Sequence, residues 1–150
     1  MNRHDHLRQA HEVARIRALQ VEREHLGTHR LSQELAKANA AEAHIAAQYR
    51  HEAASMHGTL RAGAPLSIAL LESARAQLAD IAAQQARART RVTDAQTRLR
   101  RQQESHAAAM QLRDVADGLV ADAVAAVSRS DEARSAEAAE LRFLLKWEAA

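Results

Sequence analysis

A single short stretch, residues 57–67, interrupts a chain otherwise made of strong helix formers. This stretch holds two of the four glycines and the only proline, and helices end at Gly and do not continue through an X-Pro bond. Ser67 follows it and is a favourable N-cap residue. The pattern therefore predicts a first helix over about residues 3–58, a turn over about 59–67 and a second helix over about 68–148, all within one domain.

The second predicted helix carries a heptad pattern, in which steps of three and four residues alternate. The positions are Leu71, Ala74, Leu78, Ile81, Gln85, Ala88, Val92, Ala95, Leu99, Gln102, His106 and Ala109. None of them is Asp, Glu, Lys or Arg, whereas the residues between them are rich in charge. Such a seam, with a solvated outer face, is typical of a coiled coil.

The first predicted helix carries a matching but less regular series. Its members are Leu31, Leu35, Ala38, Glu42, Ile45, Tyr49, Glu52 and Met56. Further upstream, two phases remain open: one through Leu19 and Leu26, and another through Leu7, Ala14 and Val21. Helices joined by a short turn lie antiparallel, so the chain is predicted to be all-α, with two long helices forming an antiparallel coiled-coil hairpin. Alanine, which supplies 37 residues, would let the helix axes approach closely.

Helix 2 is predicted to be longer than helix 1. With the turn centred near Ala62, residue 7 would lie beside about residue 117, and roughly the last thirty residues would overhang. This overhang contains apolar residues at 119–127 and 141–147, including the only Phe and Trp. It is interpreted as a docking surface. The alternative is a helix break near residues 128–131, after which the terminal part folds back on the hairpin.

Reactive chemistry is poorly represented. The sequence has no Cys and no glycine-rich phosphate-binding motif, and a helical hairpin offers no concave pocket for paired carboxylates. His25 with His29, and His44 with His51, have spacings that reach one helical face, but two ligands make a weak metal site. We therefore expect no metal, no cofactor and no enzymatic activity. The polar N-terminus and the lack of a long apolar run predict a cytoplasmic protein without direct membrane insertion.

Six arginines lie between positions 87 and 101, at 87, 89, 91, 98, 100 and 101, against the single acid Asp94. They could form ion pairs with acids of helix 1 or contact an acidic protein partner. No aromatic residue is interleaved to stack on bases, so a nucleic-acid partner is not expected.

This layout resembles the small coiled-coil stalk proteins of type III secretion systems, the FliJ, YscO and Hrp-type family. The resemblance covers the whole chain and lies in helix lengths, turn position and total length. Local features that agree are His6-Leu7-Arg8 at the start of helix 1, Gln48-Tyr49-Arg50 before the turn, and Ala62-Gly63-Ala64-Pro65 leading into Ile68-Ala69-Leu70-Leu71-Glu72.

The resemblance implies a central stalk that inserts its terminal ends into the hexameric secretion ATPase and links it to the cytoplasmic domain of the export gate protein. Some family members also handle secretion chaperones. Transferred to this chain, the residues that engage the ATPase would be Leu7, Leu141, Phe143, Leu144, Leu145 and Trp147. The residues that face the gate would be Ile45, Tyr49 and Leu71. The location implied is cytoplasmic, peripheral to the inner-membrane secretion apparatus, in a virulence-type or flagellar export system.

Two other functions stay open at this point. One is a generic coiled-coil scaffold, such as a homodimer that forms a four-helix bundle. The other is a secretion chaperone or adaptor that binds an amphipathic helix of its partner.

Overall fold

The computed structural model describes residues 2–63, 65 and 67–148, and these residues form two helices. Helix α1 spans Arg3–Arg61 and helix α2 spans Ile68–Glu148. No strand occurs in the described part of the chain. The prediction of an all-α antiparallel coiled-coil hairpin with a longer second helix is confirmed.

The turn forms where the Gly/Pro stretch predicts it, although α1 runs three residues further than expected. Gly58 stays helical, and the Ala62 amide donates to its carbonyl oxygen at 3.1 Å. Gly63 has a φ of 65°, the left-handed conformation that ends helices and that glycine adopts without steric cost. The Ser67 hydroxyl accepts a hydrogen bond from the Leu70 amide at 3.2 Å, so Ser67 caps α2. Ala64 and Leu66 of the predicted turn lie outside the described residues.

The hairpin divides into two units. The turn unit is Leu26–Glu104, and the terminal unit comprises the described residues of 1–25 and 105–150. In the turn unit every predicted seam position of α2 from Leu71 to Gln102 is buried or half-buried. Ala88 and Ala95 are the most buried, at 4% and 3% exposure. Small side chains thus make the core of this unit, as close packing of two helices requires.

Polar contacts across the turn unit explain why a carboxylate sits on the seam. Glu42 Oε1 accepts hydrogen bonds from Arg89 Nε at 3.3 Å and from Gln85 Nε2 at 3.4 Å. Arg98 Nη1 lies 3.2 Å from Glu34 Oε2. Two arginines of the basic run therefore pair with acids of α1. Exposed ion pairs of this kind contribute about 0–1 kcal/mol each, so they set register more than stability.

In the terminal unit the seam of α1 runs through Leu7, Ala14 and Val21, which are half-buried. The other phase is excluded, since Leu19 and Leu26 are mostly exposed. The intervening seam positions are partly polar, and they include Arg17 and Glu24. This polar content is the reason that the phase was hard to recognise from the sequence.

The seam of α2 extends further in the terminal unit than the sequence pattern predicts. Its half-buried or buried positions are His106, Ala109, Arg113, Ala116, Val120, Ala123, Val127 and Ser130. Val120, Ala123 and Val127 had been assigned to the overhang, and that assignment was wrong. The register is shifted, because Arg3 of α1 lies in a shallow groove beside Ala126 and Ser130.

The overhang is therefore residues 131–148, which we call the terminal segment. The expected thirty residues were too many, because the turn is centred nearer residue 65 than residue 62. The segment neither breaks from α2 at 128–131 nor folds back: the helix is continuous, and residues 131–147 are all exposed. Ser and Asp at the expected break support the helix instead. Ser128 Oγ donates to Glu132 Oε1 at 3.1 Å, and Arg134 Nη1 lies 3.8 Å from Asp131 Oδ1.

Candidate functional site

The terminal segment is a continuous surface without helix–helix packing in the described part of the chain. It begins after Ser130, the last half-buried seam residue, and at 1.5 Å per residue it extends α2 by about 27 Å. Its end carries large apolar side chains that are not buried against the hairpin. Phe143 and Trp147 are 70% and 75% exposed. An exposed apolar cluster of this kind is a candidate binding surface.

Helical geometry arranges these side chains around the segment. At 100° per residue, Phe143 and Trp147 share one side, and Leu141, Leu144 and Leu145 share the adjoining side. Together they cover a little more than half of the circumference. The remaining sector holds Arg142 and Lys146, four residues apart. An apolar arc this wide exceeds the stripe that one neighbouring helix buries, so it fits a partner that surrounds the helix on several sides.

Charge divides the terminal segment along its length. Residues 131–140 contain Asp131, Glu132, Glu137 and Glu140 against one arginine, and residues 141–148 contain Arg142 and Lys146 against Glu148. The acidic part lies next to the hairpin, and the apolar part, with a small excess of positive charge, lies at the far end. A partner that covers the far end would thus meet an apolar surface edged by two cations.

Leu7 does not belong to this surface. It is half-buried on the seam of α1 and lies opposite the region of residue 123, as the contact between His25 and His106 and the place of Arg3 indicate. Leu141 is about five helical turns further along α2. The structure brings Leu141, Phe143, Leu144, Leu145 and Trp147 together on one segment, but it does not bring Leu7 to them.

The three residues expected to face an export gate occupy two places in the turn unit. Ile45 is half-buried on the seam, and Tyr49 next to it is 37% exposed. Leu71 lies nearer the turn, in a groove with Met56, which is seven residues from Tyr49 on α1. Ile45 and Tyr49 therefore adjoin each other, and Leu71 belongs to a separate feature.

That feature is an apolar groove of about 150 Å³ near the turn, which the sequence analysis did not identify. Met56 and Leu60 of α1 and Leu70, Leu71, Ala74 and Leu78 of α2 supply its apolar lining. Ile68, at the start of α2, is 76% exposed. Leu60, Ile68 and Leu70 are apolar residues around a Gly/Pro turn, and this clustering was the signal available in the sequence.

A histidine of α1 contacts a histidine of α2 in the terminal unit. The rings of His25 and His106 have centroids 5.7 Å apart and planes at 49°. His29, whose spacing from His25 was weighed above as a weak two-ligand site, instead has its Nε2 3.1 Å from Gln33 Nε2. Within the described ranges, no group of three or more His, Asp or Glu is arranged to hold a metal ion.

Two further observations frame the function. Neither helix, over the residues that the structure describes, contains a stretch long and apolar enough to cross a bilayer. Comparison with protein-family models, with curated proteins and with solved structures finds no match to this chain.

Proposed function

We propose that this chain is a cytoplasmic central-stalk component of a type III secretion apparatus, and that it acts by binding and not by catalysis. The single observation that carries the proposal is the terminal segment. A continuous α2 projects 18 residues beyond its last half-buried seam residue and exposes the only Phe and the only Trp. A generic scaffold has no need of such an asymmetric end, whereas a stalk that inserts into a ring does.

The terminal segment would insert into the hexameric secretion ATPase. Fully burying a large apolar side chain contributes about 1.5–3 kcal/mol, so the five residues from Leu141 to Trp147 could offset much of the cost of association. Trp is also the residue type most enriched among energetically dominant interface residues. Arg142 and Lys146 would face carboxylates at the rim of the ring.

Leu7 has a different part in this proposal from the one that the resemblance suggests. Because it packs in the seam, it would support the helix pair that carries the terminal segment and would not touch the ATPase itself. We therefore place the direct ATPase contact on Leu141, Phe143, Leu144, Leu145 and Trp147.

The turn unit would link the stalk to the cytoplasmic domain of the export gate protein. Tyr49 offers an apolar ring with a polar tip, a combination favoured at interfaces, and Ile45 adjoins it. Leu71 would contribute through the groove near the turn. Both surfaces lie in the unit that does not carry the terminal segment, so one chain could hold two partners.

The test mixes the full chain with a purified hexameric type III secretion ATPase from the same organism. We expect the chain to promote hexamer assembly and to raise ATP turnover. Phe143→Ala combined with Trp147→Ala should abolish both effects. Leu19→Ala combined with Leu26→Ala is the matched control, because these leucines are exposed on the paired part of α1. The control should behave as the unchanged chain does.

Several outcomes would refute the stalk. An ATPase unaffected by the full chain, together with a stable homodimer in sedimentation, would favour the scaffold. Specific capture of a secretion chaperone or substrate, again without an effect on the ATPase, would favour the adaptor. Equal losses in the control and in the Phe143/Trp147 variant would show that the terminal segment has no special role.

A further inference from the structure

One contact in the terminal unit has no part in the stalk function: the meeting of His25 on α1 with His106 on α2. The ring centroids are 5.7 Å apart, and the planes are inclined by 49°. His106 is a half-buried seam residue, whereas His25 beside the seam is exposed. The pair is thus held by the packing of two helices on one side and is open to water on the other.

The spacing of the rings suits a bridging metal ion. Imidazole nitrogens bind Zn²⁺ at ~2.0–2.1 Å, so two imidazoles on one tetrahedral ion have ring centres about 5 Å apart. The observed separation of 5.7 Å is slightly larger, and the exposed His25 side chain would rotate to close the difference. We propose that His25 and His106 form a two-histidine site for a divalent transition-metal ion such as Zn²⁺, which bridges α1 and α2.

The surroundings favour a cation. Glu24 precedes His25 and is half-buried on the seam, and its Oε2 accepts a hydrogen bond from Ser105 Oγ at 3.1 Å. This carboxylate places negative charge next to the pair. Imidazole suits Zn²⁺, Ni²⁺ and Cu²⁺ and is a poor ligand for Mg²⁺ or Ca²⁺, so the site selects the former class. Water would fill the remaining coordination positions on the exposed side.

The sequence alone predicts no metal site, because the two histidines are 81 positions apart and meet only when the helices pair. The bound ion would clamp the helices at a part of the seam where polar Glu24 and His106 replace apolar packing.

The experiment titrates Zn²⁺, and Ni²⁺ in parallel, into the metal-free full chain by calorimetry and follows thermal unfolding. We expect one ion per chain and a Tm rise of roughly 5–10 °C when free metal exceeds Kd about a hundredfold. His25→Gln and His106→Gln should each weaken binding at least about tenfold. Gln is acceptable at position 106 because Gln85 already occupies an equivalent seam position, and at position 25 because that side chain is exposed. His29→Gln, a histidine one turn from His25, is the matched control and should bind as the unchanged chain does.

Three results would overturn the site. One is unchanged affinity in both the His25 and the His106 variants, with circular dichroism showing that they remain helical. Another is binding that disappears only when His4 and His6 are replaced. The third is metal-induced association in sedimentation, which would mean that the ion links separate chains. None of these results depends on the ATPase, so the metal site and the stalk function can fail independently.

Discussion

The burial of alanine methyl groups between α1 and α2 can be measured with one pair of glycine substitutions. Ala95 is 3% exposed on the seam of the turn unit, and Ala82 is exposed on the same helix. Replacing either residue by Gly costs about 0.8–1.0 kcal/mol of helix propensity. Ala95→Gly also loses a buried methyl worth about 0.8 kcal/mol and leaves a small cavity. We expect losses of about 2 kcal/mol for Ala95→Gly and about 1 kcal/mol for Ala82→Gly.

The assay is urea unfolding followed by far-ultraviolet circular dichroism, repeated at several chain concentrations so that any self-association is detected. The slope of the free energy of unfolding against urea should be the same for both variants, so the midpoints report stability directly. Ala88→Gly should repeat the Ala95 result, since Ala88 is 4% exposed. Losses that agree within about 0.5 kcal/mol for Ala95 and Ala82 would show that the alanine seam does not hold the hairpin together.

Three further changes test other features by unfolding measurements. Gly63→Ala should destabilise the chain by about 1–2 kcal/mol, because its φ of 65° strains a residue with a Cβ. Gly58→Ala should stabilise the chain by about 0.5–1 kcal/mol, because the residue is helical and an added methyl meets no described atom within 4 Å. If the Gly63 and Gly58 variants changed the free energy of unfolding in the same direction, the turn geometry would be contradicted. Arg113→Leu should raise the free energy of unfolding by about 1 kcal/mol or more, because its buried Nε has no hydrogen-bond partner in the described part of the chain and only a long ion contact, 3.9 Å from Asp117 Oδ2. A fall would mean that its ion pairs with Asp114 and Asp117 matter more. Deleting residues 131–150 should lower the helical signal by roughly an eighth and leave Tm unchanged, and a Tm lowered by several degrees would mean that the terminal segment packs on the hairpin.

The hairpin could be predicted from the sequence because the helix-breaking residues and the heptad periodicity indicate the same two helices. The Gly63–Pro65 interruption placed the turn, and the heptad steps from Leu71 onward placed the seam of α2, since both depend on local geometry. The phase of α1 was harder to predict, because Glu24 and Arg17 occupy seam positions where apolar residues are expected. Their burial depends on contacts with α2, which no local pattern contains.

The register of the two helices and the contacts between them could not be predicted from the sequence. A shift of a few residues in the turn centre moved Val120, Ala123 and Val127 from the overhang into the seam. The same register places His106 opposite His25 and separates Leu7 from Leu141. Such pairings follow from how two long helices interlock, and small errors at the turn displace every pair by the same amount. The apolar groove at Leu71 depends on this interlocking as well.

The continuity of α2 through Ser130 has a consequence for how its free end meets another molecule. An isolated helix of 18 residues is marginal in water, because forming its first turn is opposed by a factor of about a thousand. The terminal segment avoids that barrier, since the hairpin supplies a finished helix from which it only has to propagate. A protein that binds the terminal segment would meet a preformed helix, so little of the binding free energy would be lost to folding it. Ser130→Pro would interrupt the propagation of the helix into the terminal segment without changing the identity of any contact residue. We expect this variant to associate more slowly with the partner.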